Sequence, residues 1–359
     1  RDYAVTGVQT CALPISTKHL DFLRTMKIIY ERYHELVADS PDILAHQNLV
    51  LKDYEEQIVN HGYHNAVSII IVTYNSSKDI LNCLTSVAVS LRLKDEVIVV
   101  DNNSIDDTTT IVNSFIKNKS NFKLIVNNEN VGFSAATNVG VANSTNSILV
   151  FLHPDCLVTK GWVQSLLKHL ESDTAIGAVG PISNNVSGQQ KMELYTKEKF
   201  QGSMNIADLF KKFKEWNNEK SLETKLLIGF CLMIEKSVLQ NLGMLDEKLF
   251  LGSVDLDLCW RLRLKNYRLL VATDTFVYHK GQQSLKNEKK SKTDFLFKQS
   301  TNLLYEKLLD YYGKNDLPTP FEIWGVDWFK PSNAKYNVNA KFKPEESSVE
   351  LKANNATEV

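Results

Sequence analysis

The chain has 359 residues, 43% of them hydrophobic and 23% charged, with a formal net charge of −1. This is an ordinary soluble globular composition, long enough for one large α/β domain with appendages or for two modest domains. The near-neutral balance offers no global basic field to a nucleic acid, and no apolar run nears the roughly 20 residues of a membrane-crossing helix, although contact with a membrane surface stays open.

Residues 1–16 show neither a helical period nor strand alternation. They resemble translated sequencing-adapter read-through, are expected to be non-native, and are set aside from fold reasoning, which leaves the native start outside this sequence. Residues 17–62 read as a helical extension. Leu20, Leu23, Met26, Ile29, Tyr33 and Leu36 form one apolar stripe, Ser40-Pro41 closes that helix, and a second amphipathic stretch runs to about Val59. A cap on the main domain is the simpler reading; an oligomerisation or membrane-docking arm is the alternative. The five cysteines, Cys11, Cys83, Cys156, Cys231 and Cys259, are far apart and odd in number. No disulfide framework is expected, and a reducing cytoplasm fits.

From Val67 the pattern becomes one of alternating strand and helix. Strands are predicted at Val67–Val72, Glu96–Val100, Phe122–Val126, Ile148–Leu152 and Ala175–Val179. Helices are predicted at 78–90, 106–117 with Asp106 as its cap, 134–143 and 160–171. Short links between the two predict a mostly parallel sheet with helices on both faces. Residues 184–224 break the rhythm with a polar insertion that holds a basic amphipathic piece around Phe210–Trp216. It reads either as a wall of a binding site or as a surface excursion. Further strands are expected at Leu226–Ile234, Arg268–Val271 and Thr275–Tyr278, and helices at Asp255–Lys265 and 291–313. From about Asn333 the chain is polar and is expected to be disordered. The domain reading is therefore a catalytic domain over 66–285, a helical extension over 286–332, and a tail over 333–359.

In an open parallel sheet, ligands bind beyond the carboxyl ends of the strands. Each of the first four strands is followed by a polar loop: Thr73-Tyr74-Asn75, then Asp101-Asn102-Asn103-Ser104, then Asn128-Glu129-Asn130-Val131-Gly132-Phe133, then His153-Pro154-Asp155. Any one of these alone would serve as a turn or a helix cap; together they mark one binding edge. Neither G-x-G-x-x-G nor a P-loop follows the first strand, which argues against a dinucleotide dehydrogenase and a P-loop nucleotidase. A divalent cation held by carboxylate and imidazole is the natural substitute for phosphate binding.

The ordered segments VSIIIVTYN, VDNNSIDDT, NENVGFSAATNVG, FLHPD, GFCLMI, LDEKLFLGSVDLDLCWRLR and VYHKGQQS resemble the motifs of family 2 inverting glycosyltransferases, bacterial rhamnosyl- and hexosyltransferases among them. The resemblance covers about residues 67–284 and implies the A-type glycosyltransferase fold. It implies a nucleotide-diphosphate sugar donor (UDP-, dTDP- or GDP-linked), a glycan, lipid-linked or protein acceptor, and a divalent cation, Mn2+ or Mg2+. The expected setting is cell-surface polysaccharide synthesis in a bacterial cytoplasm, at or near the inner face of the membrane.

By that resemblance Thr73, Tyr74, Asn75 and Asp101 hold the base and ribose, with Asn103 beside them; for Asp101 the competing role is capping the next turn. Asn130, Gly132, Phe133 and Asn138 form the loop and helix beside the donor, Phe133 being better suited to packing than to recognition. His153-Pro154-Asp155 stands in the place of a D-x-D motif. Asp155 then holds the metal at the diphosphate, while His153 replaces an acid, which lowers metal affinity or shifts preference towards manganese. His279 is a metal or diphosphate ligand by the V-x-H-x-G-x-x-S pattern, against a structural role for a lone histidine. In Val254-Asp255-Leu256-Asp257, Asp255 matches the general base, Val254 replaces a glutamate, and Asp257 is either a second acid or a helix N-terminal charge. Gly229, Phe230 and Cys231 line the acceptor side with Asp257, Trp260 and Arg261, Cys231 as small packing. The expectation is metal-assisted single displacement with inversion. The rivals are a catalytically impaired nucleotide-sugar-binding homologue, a sugar-phosphate nucleotidylyltransferase and a membrane-surface scaffold.

Overall fold

The computed structural model describes residues 65–196, 206–217, 220–281 and 290–345. The expectations for residues 1–16, for the helices of 17–62, for Gln282-Gln283-Ser284 and for 346–359 lie outside the described residues.

The centre of the fold is an eight-stranded sheet in the order β3-β2-β1-β4-β8-β6-β9-β7. Its strands are β1 (Val67–Thr73), β2 (Glu96–Asp101), β3 (Phe122–Val126), β4 (Ile148–Leu152), β6 (Ile176–Ile182), β7 (Ser221–Thr224), β8 (Cys231–Glu235) and β9 (Arg268–Phe276). Strands β1 to β4 are parallel neighbours, as predicted. Central β1 is VSIIIVT, buried at nearly every position. A strand covered on both faces needs this continuous run of β-branched residues, since neither side of its pleat meets water. Strand β8 runs antiparallel between β4 and β6. A small second sheet pairs β5 (Cys156–Leu157) with β10 (Tyr278–His279).

Helices α1 (Ile80–Ser90), α2 (Thr108–Ile116), α3 (Phe133–Ala142) and α4 (Trp162–Leu170) cover the sheet. In α1 the buried Ile80, Cys83, Leu84 and Val87 recur at the three- and four-residue spacing of one helix face. Helix α3 lies so close to β1 that a Cβ at Gly140 would sit 2.5 Å from Ile70 Cγ2. The N-cap of α2 is Asp107 and not Asp106 as expected; Asp106 precedes it, and its carboxylate accepts from Thr108 N–H at 3.0 Å.

The polar insertion divides in two. Its first part bends back towards the sheet edge at Asn184 and Asn185. Its second part forms α5 (Ile206–Trp216) and the edge strand β7. Leu209, Phe210 and Phe213 of α5 are buried, and the Phe213 ring stacks on Phe276 of β9 at 5.7 Å. After β8 come α6 (Lys236–Asn241), α7 (Val254–Leu264), α8 (Lys290–Tyr312) and α9 (Pro320–Trp324).

Three further expectations need correction. The run Leu226–Ile234 is a strand only from Cys231; Leu226 to Phe230 is an irregular approach to it in which Leu226, Leu227 and Phe230 are buried. The two short strands expected at 268–278 are one strand, β9, followed by the two-residue β10. Their polar middle suggested a break, but the structure satisfies those groups: Asp274 meets His169 at 3.0 Å and the Thr273 hydroxyl donates to Lys220 O. The tail from Asn333 is not free as far as residue 345. Asn337 N–H donates to Leu317 O, Glu345 N–H donates to Leu264 O, and the Arg263 guanidinium lies 3.9 Å from the centre of the Phe342 ring.

Candidate active site

The polar loops meet at the carboxyl edge of β1, β2 and β4. Because β8 is antiparallel, its amino end arrives at the same edge, with Cys231 paired to Leu152. Strand reversal thus brings Gly229 and Phe230 next to His153, whose N–H donates to Phe230 O at 2.8 Å.

On the nucleotide side, Thr73 and Asp101 are register partners at the ends of β1 and β2. The following loops are tied together. Asn75, with φ of 49°, donates its backbone N–H to the Ser104 hydroxyl oxygen and accepts from Ile105 N–H at its side-chain oxygen, both at 2.9 Å. Ser76 and Ser77 N–H groups donate to Thr108 Oγ1 and to the Asp106 carboxylate. Asp101 accepts from Ser104 N–H at 2.8 Å and from its hydroxyl at 2.6 Å. The turn-capping role is therefore filled, and any ligand must use the remaining lone pairs of this carboxylate. Burial pushes the Asp101 carboxyl above its ordinary value against those hydrogen bonds. Thr73 Oγ1, at the mouth of this pair, is buried and has no hydrogen-bond partner among the described residues. Tyr74 is partly exposed and Asn103 exposed beside it, Asn103 in the left-handed region at φ 65°.

The third loop is held by Asn102. Its amide donates to Asn130 Oδ1 and Gly132 O, and its oxygen accepts from Asn127 Nδ2 and Val131 N–H. Gly132 has φ of 85°, and a Cβ there would meet the Phe250 ring at 2.7 Å. Phe133, at the start of α3, turns its ring edge towards His153 with centroids 5.7 Å apart.

His153, Asp155 and His279 form one cluster whose potential ligand atoms all lie within 4.8 Å of one another. Strand β10 carries His279 there by pairing with Cys156, next to Asp155. The His279 ring is firmly oriented. Its Nδ1 meets Asn185 O at 2.8 Å, its backbone N–H and carbonyl are both bonded by Asn184, and Phe230 stacks on its face at 5.1 Å. With Nδ1–H donated to a carbonyl, the lone pair of Nε2 points to the cluster. Nε2 stands 3.4 Å from Asp155 Oδ1 yet makes no well-formed hydrogen bond among the described residues. Burial would raise the Asp155 carboxyl, but the proximity of His279 and His153 outweighs it and holds the group at about 2. Burial, reinforced by His279 and opposed by Asp155, lowers His153 to about 4, so the His153 imidazole and the Asp155 carboxylate are in ligating form near neutrality. An orphaned imidazole nitrogen, a second imidazole and a carboxylate fit a divalent cation.

Beside Gly229 stands Asp255, in the first turn of α7. The position of a Cβ on Gly229 would be 3.8 Å from Asp255 Cβ, so glycine leaves room at this carboxylate. Burial raises the Asp255 carboxyl above its ordinary value, against hydrogen bonds from the backbone N–H groups of Leu256 and Gly229. Cys231 is fully buried at the start of β8, and burial raises its thiol, consistent with packing.

Four of the expected residues are engaged elsewhere. Asn138 is bound through its amide to Leu245 O, Leu245 N–H and Glu247, so it staples α3 to that loop. Asp257 is 0% exposed and accepts from Arg261 Nε at 2.7 Å and from Lys307 Nζ at 2.6 Å. Arg261 also donates to the carbonyls of Leu242 and Met244. Trp260 is buried against α8 and donates to Tyr312 Oη at 3.1 Å. The sequence reading placed Asp257, Trp260 and Arg261 on the acceptor side; their spacing cannot distinguish a site from a buried network. Phe230, expected on the acceptor side with Gly229 and Cys231, stacks on His279; the residues the sequence reading missed are Asn102, Asn184, Asn185 and Gln190. The last bonds Ile228 N–H and Pro181 O and so fixes the approach to Gly229. Only Asn102 had a signal, its place in the second loop.

Residues 68–243 match the sequence model of Glycosyl transferase family 2. Glycosyltransferase AglE of Haloferax volcanii is 35% identical over 116 residues, which is 32% of this chain and 38% of that protein. The pre-mycofactocin glycosyltransferase of Mycobacterium tuberculosis is 26% identical over 225 residues, 62% of this chain and 44% of that protein. The chain thus spans less than half the length of these curated relatives. Among solved structures, the mannosyltransferase PcManGT of Pyrobaculum calidifontis, in complex with GDP-Man and Mn2+, shares the fold. Its TM-score is 0.50 at 19% identity, covering 72% of this chain and 68% of that one.

Proposed function

Residues 68–243 of this chain are a family 2 glycosyltransferase domain, and from that premise we propose that the chain moves a sugar from a nucleoside-diphosphate donor to an acceptor hydroxyl with inversion. The observation that carries this reading is that the Gly229-Phe230 segment adjoins both candidate groups, Gly229 lying beside Asp255 and the Phe230 ring stacking on His279 of the His153–Asp155–His279 cluster, while Thr73 and Asp101 end neighbouring strands of the same sheet.

Asp255 removes the proton from the acceptor hydroxyl. The acceptor oxygen forms its bond to the anomeric carbon as the bond from that carbon to the diphosphate oxygen breaks, and the nucleoside diphosphate leaves with the electron pair. A raised carboxyl pKa suits this role, because a stronger base receives the proton more readily. A divalent cation held by His153, Asp155 and His279 would offset negative charge on the diphosphate. Thr73, Tyr74, Asn75 and Asp101 position base and ribose, with Asn103 and Asn130 at the rim and Gly132 and Phe133 shaping the adjoining wall. The donor class is a UDP-, dTDP- or GDP-linked sugar, the last being what the archaeal mannosyltransferase holds. The acceptor is a glycan, a lipid-linked glycan or a protein. No helix among the described residues is long and apolar enough to cross a membrane. We place the chain at the cytoplasmic side of the membrane where such acceptors are built.

The test is a panel of nucleotide sugars with released nucleoside diphosphate as readout, in wild type and Asp255→Asn. Cation-stimulated release from one donor that the substitution abolishes supports the reading. Donor binding without release in any acceptor mixture would instead assign the chain to non-catalytic nucleotide-sugar binding. No binding by a folded sample would overturn both.

A further inference from the structure

We propose that Trp324, in the helical extension that follows the sheet, is a positioning residue for the general base: its indole N–H fixes the first turn of α7 and with it the aim of the Asp255 carboxylate. The proposal rests on the reading above that Asp255 takes the acceptor proton, and it concerns what holds that carboxylate in place.

The connection is two hydrogen bonds long. Trp324 Nε1–H donates to Leu256 O at 2.9 Å, and Leu256 N–H donates to Asp255 Oδ1 at 3.0 Å. Leu256 lies in the first turn of α7, where an N–H has no partner inside its own helix and is left to serve the carboxylate. The second support of Asp255 is the N–H of Gly229. Both donors are backbone groups, so the carboxylate follows the backbone around residue 256. The indole holds that residue from its carbonyl side.

This turn needs a hold from outside. It begins on two left-handed residues, Gly252 at φ 79° and Ser253 at φ 62°, and the Ser253 side chain makes no cap bond to the helix. A serine held there is under backbone strain and keeps its place only through its surroundings. The extension supplies them. Leu251 N–H donates to Ser300 Oγ at 3.3 Å, and the Ser253 and Thr301 hydroxyls meet at 3.4 Å. Helix α9 grips α7 twice on one face: Trp324 at Leu256, and the Ile323 carbonyl at the Arg263 guanidinium seven residues on. Trp324 is itself set in place. It is 2% exposed, and the Phe329 ring meets it edge-on at 4.9 Å. Helix α9 opens on Pro320 with Thr319 Oγ1 accepting from Glu322 N–H at 3.2 Å, and closes on Gly325 at φ 73°.

The experiment uses the full chain. Trp324→Phe keeps a ring in the core and removes the N–H. Tyr312→Phe is the control: it removes the hydrogen bond from Trp260 Nε1 at 3.1 Å, between the same extension and the same helix, and leaves the Leu256 bond intact. With the donor that turns over in the nucleotide-sugar panel, Trp324→Phe should lower kcat by about 10- to 100-fold while KM for the donor stays within about 3-fold. The acid limb of kcat/KM should move to higher pH, because the Leu256 N–H that lowers the carboxyl is no longer held against it. Other titratable groups on α7 do not mimic this: burial lifts the Cys259 thiol to about 12, and Asp257 is paired with Arg261 and Lys307. Tyr312→Phe should lower the melting temperature comparably and leave kcat and the acid limb where they are. A folded Trp324→Phe enzyme with wild-type kcat and pH profile, or equal kcat losses in the two variants, overturns the proposal. If Trp324→Phe does not fold, Thr319→Ala, which loosens α9 by one cap bond, decides: kcat should fall with donor KM held, and an unchanged kcat overturns the proposal. If the wild type turns over no nucleotide sugar, the Asp255 carboxyl is followed directly by carbon-13 resonance, assigned with Asp255→Asn. A titration moved upward by Trp324→Phe then keeps the coupling and removes the transferase reading; an unmoved titration overturns both.

Discussion

Asp255 and Asp257 are two residues apart on α7 and live in different surroundings. Asp257 is enclosed, with both oxygens committed to Arg261 and Lys307. Asp255 faces Gly229 and receives only backbone N–H groups. The two substitutions should therefore separate cleanly. Asp255→Asn is expected to lower kcat by about 10²–10⁴-fold while donor affinity stays within a few-fold, checked by single-turnover kinetics and equilibrium binding. As the proposed general base Asp255 works deprotonated, and its carboxyl is raised by burial. The acid limb of kcat/KM should accordingly lie above the ordinary aspartate value of 3.8 and vanish in Asp255→Asn. Asp257→Asn should instead cost stability, about 3 kcal/mol or more, because it leaves the largely buried Arg261 without its counter-charge. Lys307 is one-third exposed, so Lys307→Met should cost less. Denaturant unfolding of the three variants measures the order.

At the scale of elements, the site depends on short connections more than on the strands they join. The loop from Asn127 to Gly132 has no regular structure of its own; Asn102 supplies its hydrogen bonds from the end of β2. Asn102→Ala should cost about 1–3 kcal/mol and raise KM for the donor more than it lowers kcat, since it loosens the wall and not the base. Gly132 opens α3 with a left-handed backbone while Phe133 N–H bonds Phe250 O at 2.9 Å. Gly132→Ala adds backbone strain of about 1–2 kcal/mol to a contact with Phe250 that has no room for a methyl group. A lower melting temperature together with weaker donor binding is the expected result. Helix α7 shows a further element-level effect. Val254, Leu256, Asp257, Leu258, Cys259, Trp260, Leu262 and Leu264 are all buried, so it has no polar face for periodicity to reveal.

For the whole molecule, the buried and bonded carboxylates set the response to acid. Asp155, Asp274, Asp246, Asp106 and Glu96 are all held below their ordinary values; at each, burial raises the group and partners outweigh it. A carboxyl depressed by folding contributes stability that is present above its unfolded value and lost as pH falls through its folded one. Asp101 and Asp255 are raised and work in the opposite sense, easing folding as they protonate. The melting temperature should therefore fall as pH drops below about 4, after a shallow region where the two groups offset each other. Asp274→Asn should flatten that fall, because Asp274 is buried and its bond from His169 is lost. Thermal unfolding between neutral pH and pH 3 tests both statements.

The sequence by itself determined the mostly parallel half of this protein and the loops that follow its strands. Val/Ile runs such as Ile69-Ile70-Ile71, alternating with helix-spaced faces, admit little else when both sides of a sheet are covered. His153, Asp155, His279 and Asp255 were legible because ordered motifs tie them to strand ends and a helix start. Only the tertiary structure decided the antiparallel entry of β8, which depends on a long-range pairing between Leu152 and Cys231. It alone distinguished Asp255 from Asp257, since burial and partners from α8 have no trace in local spacing. It alone sent Asn138, Trp260 and Arg261 into packing and brought Asn184 and Asn185 to His279 from a polar insertion. The physical reason is the same each time: local periodicity records which face of an element is buried, whereas a site is defined by which distant groups share that burial.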